Sequence, residues 1–247
     1  MPFLYLLHLM AVCRCISYLC ACLHYIIIKV GVFNVPVYLA KRSNKKIKTL
    51  HKIWYVKLTR RMISFLIRTP LRKSIVRWVN FNISIPQNQG CIIVTCHTPW
   101  KRLITNWCVE QKFGLVIGGG SWSDRRRGIQ KQGAGISELR HLVKHLQSKG
   151  RVITNADVFN NLNNCQVKFL GNNCNVSLFS ERLAVLAKVP LITVIPRLSE
   201  TTIEFTSGPQ FPMHDLTCGC VAITQQIISF FEKEIENDPT IWSTYVK

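Results

Sequence analysis

The sequence predicts an α/β protein with a mostly parallel central sheet flanked by helices. Ahead of the sheet it places an N-terminal membrane-anchoring apolar helix and a basic amphipathic helix. Three observations predict this. Beyond residue 85, short β-type apolar runs alternate with stretches of helical periodicity, the pattern of parallel strands joined by crossover helices. Residues 2–28, "PFLYLLHLMAVCRCISYLCACLHYIII", are apolar apart from His8, Arg14 and His24. Charge is front-loaded: residues 1–109 hold 17 Lys and Arg and no acid, whereas the remainder holds 15 against 12 acids. The expected division is an apolar anchor at 1–30, a basic amphipathic helical region at 31–84 and an α/β domain at 85–247.

The apolar segment is long enough for a bilayer core, which takes roughly 20 residues. Arg14 is costly in hydrocarbon, so a helix lying in the interface competes with a true span. No cation cluster precedes the segment and no small-residue cleavage site comes after it, which argues against a removed signal peptide. The cysteines of "CRCISYLCAC" point in different directions on a helix, so they read as packing residues rather than a zinc site. Eleven cysteines, an odd number without a Gly/Pro-dense frame, read as reduced thiols in a cytosol-facing protein.

Between Lys41 and Arg77 stand 13 Lys and Arg and no acid. Ile47, Leu50, Trp54, Leu58, Met62 and Phe65 recur every three or four residues, predicting one apolar stripe on a basic helix. Directly after an apolar segment, such a helix suits an anionic membrane surface. Basic residues there also orient the rest of the chain toward the cytoplasm. The stretch lacks helix-turn-helix, zinc-finger and ribonucleoprotein motifs, so no nucleic acid is expected as a partner.

In the α/β region, strands are expected at 91–95, 114–117, 151–154, 190–195 and 202–206. "ISELRHLVKHLQSKG" sets Ile136, Leu139, Leu142, Val143 and Leu146 on one helical face and stops at Gly150, read as the C′ residue. Further helices are expected at 178–187 and from Leu216 to Glu236. "NADVFNNLNNCQ" reads as an Asn-rich loop, and "GGGS" at 118–121 lacks the Lys-Ser/Thr of a phosphate-binding loop. In "CIIVTCHTPWKRLITNW" (91–107), the first strand delivers His97 to a turn. Thr98 as N-cap and Pro99 at the first helical position predict a helix starting immediately afterwards. A histidine at a strand end is a candidate base. His141, His145 and His214 show no partner pattern.

Together these blocks resemble the late acyltransferases of lipid A biosynthesis (lauroyl and myristoyl transferases), within the lysophospholipid acyltransferase superfamily. The resemblance rests on the order of "CHTPWKRLITNW", "SDRRRGIQKQG", "RVITNADVF", "VKFLGNNCNVSLFSERLAVLAKVPLITVIPR" and the Pro-x-x-Trp tail "EKEIENDPTIWSTYVK". It implies transfer of a fatty acyl chain from a thioester on acyl carrier protein, or acyl-CoA, to a hydroxyl of a lipid A precursor or similar glycolipid. A lysophospholipid acceptor, or a non-catalytic relative, is the alternative. No metal is implied, and no cofactor beyond the acyl thioester co-substrate. The implied location is the bacterial inner membrane, with the catalytic domain on the cytoplasmic face among anionic lipids.

Carried onto this chain, His97 matches the family's base, which removes the acceptor hydroxyl's proton. The family has a carboxylate five residues later to hold the ring, and this chain has Arg102. Three readings are open. Another carboxylate, Asp124 or Asp157, approaches His97 in the fold; or Arg102 grips substrate phosphate beside an unaided histidine; or the site is degenerate. The resemblance also assigns substrate binding to Arg126 and Arg127 within the Arg125–Arg127 triplet, to the strand-end Asp157, and to Phe169 and Gly171 of the Phe-x-Gly turn.

Overall fold

The computed structural model describes residues 2–30, 47–69, 71–110, 114–117, 129–130, 136–157, 164–199 and 202–243. Its elements are α1 (Pro2–Val30), α2 (Ile47–Leu66), α3 (Arg72–Trp78), β1 (Asn80–Asn82), β2 (Cys91–Thr95), α4 (Lys101–Glu110), β3 (Gly114–Ile117) and β4 (Ile129–Gln130). Next come α5 (Ile136–Gln147), β5 (Arg151–Asn155), β6 (Asn164–Phe169), β7 (Asn172–Ser177) and α6 (Phe179–Ala187). The last are β8 (Leu191–Leu198), β9 (Ile203–Phe211), α7 (Met213–Cys218), α8 (Cys220–Asn237) and a 3-10 turn at Pro239–Ile241.

Seven strands form one sheet in the order β1-β9-β8-β2-β5-β3-β4, parallel throughout except for the β8–β9 pair. The sheet takes its first strand from ahead of residue 85, since Phe81 stands opposite Phe205. Strand β2 lies at its centre, with all five residues buried. Strands buried on both faces read as continuous apolar runs, which is why "CIIVT" carries no alternation. The two faces feed two cores. Ile92, Val94 and Cys96 join α5, α6 and α8, whereas Cys91 and Ile93 join α2, α3 and α4 through Ile63, Trp78, Trp100 and Leu103.

Several expectations change in detail. β9 runs to Phe211, well past residue 206, because the antiparallel partner β8 pairs with it from Leu198 back to Leu191, with a bulge-like register shift between Ile192 and Val194. Of the Asn-rich stretch, Asn155 ends β5, 158–163 lie outside the described residues, and Asn164–Gln166 open β6, whose hairpin with β7 turns at Leu170 (φ 50°) and Gly171 (φ 78°). Two successive positive φ values are the signature of a type I′ turn, whose twist matches its flanking strands. The final helix is two, broken at Gly219. At the end of α5, the left-handed residue is Lys149 (φ 66°) rather than Gly150. Gly150 N–H reaches His145 O (2.8 Å) and Lys149 N–H reaches Leu146 O (3.1 Å), which together make a Schellman cap. Gly150 is needed for closeness, because a Cβ there would sit 2.3 Å from the His145 ring.

Helix α2 shows the largest shift. Tyr55, Val56, Thr59, Ile63 and Leu66 are buried, whereas Phe65 of the expected stripe is 69% exposed. Trp54, Leu58 and Met62 are half-buried. The helix is apolar around much of its circumference and is packed from two sides. Helix α1 meets it through Met10, whose Sδ takes a contact from Tyr55 Oη at 3.9 Å. On the other flank its side chains join the core beneath the sheet. Among the described residues no helix is long and apolar enough to cross a membrane.

Candidate active site

Register places the site. Thr95 of β2 stands opposite Asn155 of β5, and the ladder runs one step further through Ala156 N–H to Thr95 O at 2.8 Å. Two residues beyond each strand end, His97 and Asp157 therefore arrive at the same carboxyl-terminal edge of a parallel sheet, where open α/β folds place their sites. Thr98 shapes the exit: its hydroxyl accepts Trp100 N–H at 3.1 Å, and α4 begins at Lys101, two residues later than Pro99 predicted.

Asp157 Oδ1 lies 2.8 Å from His97 Nδ1 and accepts the His97 backbone N–H at 2.8 Å. Trp242 Nε1–H donates to the other oxygen, Oδ2, at 2.6 Å. The Asp157 side chain is 4% exposed and that of His97 is 42% exposed. A carboxylate only accepts, so a proton sits on Nδ1 and the ring's Nε2 keeps its lone pair. One ring edge is thus fixed in the protein, which leaves the other nitrogen of the half-exposed ring as a candidate base. The tail clamps the arrangement a second time, through Ser243 N–H to His97 O at 2.6 Å. Phe169 packs edge-to-face on Trp242, with centroids 5.4 Å apart, and is itself buried.

The tail is held in turn by Asp238. Its Oδ1 caps the 3-10 turn by accepting Thr240 N–H (3.2 Å) and Thr240 Oγ1–H (2.6 Å). Its Oδ2 takes Lys52 Nζ of α2 at 2.7 Å. With Lys52 half exposed, that ion pair contributes about 1 kcal/mol or less.

Of the residues expected from sequence, the structure joins His97 and Asp157. Asp157 meets the ring through one oxygen and Trp242 through the other, an arrangement suited to orienting the imidazole. Arg102 points elsewhere: its Nη1 donates to Ser64 O at 3.3 Å, and it lines a cleft with Lys57, Arg60, Arg61 and Phe65 of α2 and Arg68 just beyond it. Phe169 backs the tryptophan, and Gly171 forms the exposed hairpin turn. Asp124 and the Arg125–Arg127 block, including Arg126 and Arg127, lie outside the described residues, as does 118–121. Trp242 is the candidate-site residue that sequence reasoning misses. Its signal is the Pro-x-x-Trp tail, which carries the resemblance without assigning the indole a role.

Residues 120–245 match the model of a family described as bacterial lipid A biosynthesis acyltransferase. The match spans more than half of the chain. The chain belongs to that family. Asp157, Phe169, Gly171 and Trp242 fall inside the matched region of this acyltransferase, and His97 precedes it. The chain is also similar to the crystal structure of the 1-acyl-sn-glycerophosphate (LPA) acyltransferase PlsC from Thermotoga maritima. The two are 12% identical with a TM-score of 0.40, over 95% of this chain and 99% of that one. No curated protein matches the sequence.

Replacing Trp242 with Phe keeps the contact with Phe169 and removes the donor to Asp157 Oδ2. A buried acceptor left without its partner costs about 1–3 kcal/mol. Trp242→Phe is therefore expected to lower kcat about 10-fold with KM nearly unchanged, measured by steady-state acyl transfer. An equal loss carried by KM would show that Trp242 contacts substrate instead.

Proposed function

We propose that the protein is a membrane-associated O-acyltransferase. It moves a fatty acyl chain from acyl carrier protein to a hydroxyl of a lipid A precursor or similar glycolipid, at the cytoplasmic face of the bacterial inner membrane. The observation that carries the reading is the His97–Asp157–Trp242 arrangement in a chain of this acyltransferase family. His97 Nε2 takes the acceptor's hydroxyl proton as that oxygen attacks the thioester carbonyl carbon. Asp157 stabilises the imidazolium that forms. The C–S bond then breaks, and the departing thiolate takes the proton back from the ring, leaving an ester and a thiol. Every proton is returned, so the cycle requires no further reactant.

Two features support a membrane setting. On α1, Val12, Ile16 and Leu19 fall on one helical face and are exposed, Leu19 at 63%. The helix packed against it, α2, is strongly basic. An exposed apolar stripe beside cations suits a helix seated in the headgroup region of an anionic bilayer. The same charge would attract acidic acyl carrier protein. Acyl-CoA is the alternative donor.

The test is expression in bacteria lacking their own late acyltransferases, then mass spectrometry of their lipid A. The expected result is lipid A heavier by one acyl chain. Unchanged lipid A, with the protein present in the membrane fraction, would defeat the proposal.

A further inference from the structure

The cleft that holds Arg102 has no part in the chemistry above. Its volume is about 450 Å³, and its lining is Lys57, Arg60, Arg61, Ser64, Phe65, Arg68 and Arg102. Among the described residues that line it, five of seven are cations and none is acidic. Lys57, Arg61 and Ser64 succeed one another at helical spacing, so one face of α2 forms a wall; Arg68 extends it from the turn after the helix, and Arg102 joins it from α4. The Ser64 carbonyl holds one arm of the Arg102 guanidinium at 3.3 Å. Lys57 Nζ rests 5.1 Å over the Trp54 ring. Five like charges around one hollow repel one another, and an anion with more than one charge relieves this. Guanidinium forks match phosphate oxygens in pairs, which ammonium groups do not. The volume is that of a ligand site rather than of a lone ion.

We propose that this cleft binds the phosphomonoester headgroup of a membrane lipid, with Arg102 as the residue that closes it. Phe65 favours an amphiphile over a free phosphate, since its ring is part of the lining yet 69% exposed. The exposed apolar face of α1, on the helix packed against α2, points the same way. The inference rests on the membrane-surface reading but not on turnover. In that light, the arginine standing where the family has a carboxylate serves a binding cleft and not the histidine.

The test is co-sedimentation of the full chain with phosphatidylcholine vesicles containing phosphatidic acid. A matched set contains phosphatidylserine at equal measured surface charge. Phosphatidic acid vesicles should retain the protein better, and Arg102→Gln should lower that retention about 10-fold, the loss of one charge-assisted pair. Lys233→Gln, at an exposed site on α8, should stay within about twofold. Equal losses in the two variants would mean diffuse surface charge and overturn the proposal, as would equal retention on the two vesicle types. Thermal stabilisation by inorganic pyrophosphate without preference for phosphatidic acid would assign the cleft to a soluble phosphate. Retention on RNA lost through Arg102→Gln would assign it to nucleic acid, and on acyl carrier protein to the donor. Each of these three would overturn the headgroup. His97→Ala separates the two readings, since it should lose transfer yet keep vesicle retention whole. Lipid binding by a parent chain that shows no transfer would leave this proposal standing and defeat the acyltransferase mechanism alone.

Discussion

Asp157→Asn is expected to lower acyl transfer by on the order of 10⁴, the loss seen when the orienting carboxylate of a catalytic histidine becomes an amide. The geometry explains why an isosteric change suffices. Each Asp157 oxygen faces donors: Oδ1 takes the His97 backbone N–H and lies on Nδ1, and Oδ2 takes Trp242 Nε1–H. An asparagine supplies one oxygen and turns an NH₂ toward the donor on its other side. Whichever way it lies, a donor meets a donor or the ring is pushed to the wrong tautomer. His97→Ala should fall to the same floor, and the double variant no lower, because residues acting as one unit do not add. Transfer of a labelled acyl chain to a glycolipid acceptor would measure this, with circular dichroism confirming the fold. Asp157→Asn activity within about 10-fold of the parent would show that the dyad does not drive the reaction.

The second large effect concerns stability and lies away from the site. Glu181 of α6 is buried, and its Oε2 has no hydrogen-bond partner among the described residues. Burial pushes its pKa up to about 7 from an ordinary 4.5, with hydrogen bonds from its own backbone and Thr224 pulling the other way. The folded chain therefore holds this proton more tightly than the unfolded chain. The stability so gained is complete below about pH 4.5 and is lost as pH rises toward and through 7. At 1.36 kcal/mol per pKa unit, the full swing is about 3 kcal/mol. Glu181→Gln should remove it: nearly unchanged stability at pH 4.5, and up to about 3 kcal/mol more than the parent at pH 8. Denaturant melts at the two pH values would decide, and an equal shift at both would exclude a titrating Glu181.

Much of the architecture is legible in the residues because parallel strands are apolar runs and their crossover helices keep a 3.6 period. "CIIVT" and the α5 stretch need nothing more. The site is legible in halves. His97 is marked by its strand end and Thr-Pro exit, and Asp157 by its own strand end. What joins them is the pairing of β2 with β5, a fact of sheet order that neither segment encodes alone. Local spacing therefore draws attention to position 102, whereas the carboxylate comes from 60 residues away. The hairpin strands β6 and β7 escape because "NCQVKF" and "NNCNVS" are polar, and their turn is Leu-Gly rather than Asn-Gly. The face of α2 is misjudged because a helix packed on two flanks has no single stripe to read.

The clamp on Asp157 by Trp242 spans 85 positions of sequence. On the ribosome, β2 and β5 have been made, and His97 can find Asp157, while the indole that completes the carboxylate's hydrogen bonds is still unsynthesised. At about 5–20 residues per second, the delay is roughly 4–17 seconds. Over that interval the nascent chain carries a base whose partner is poorly held. The carboxylate therefore gains its full set of hydrogen bonds only when the last helix and its turn have docked, which makes the tail the closing piece of the site.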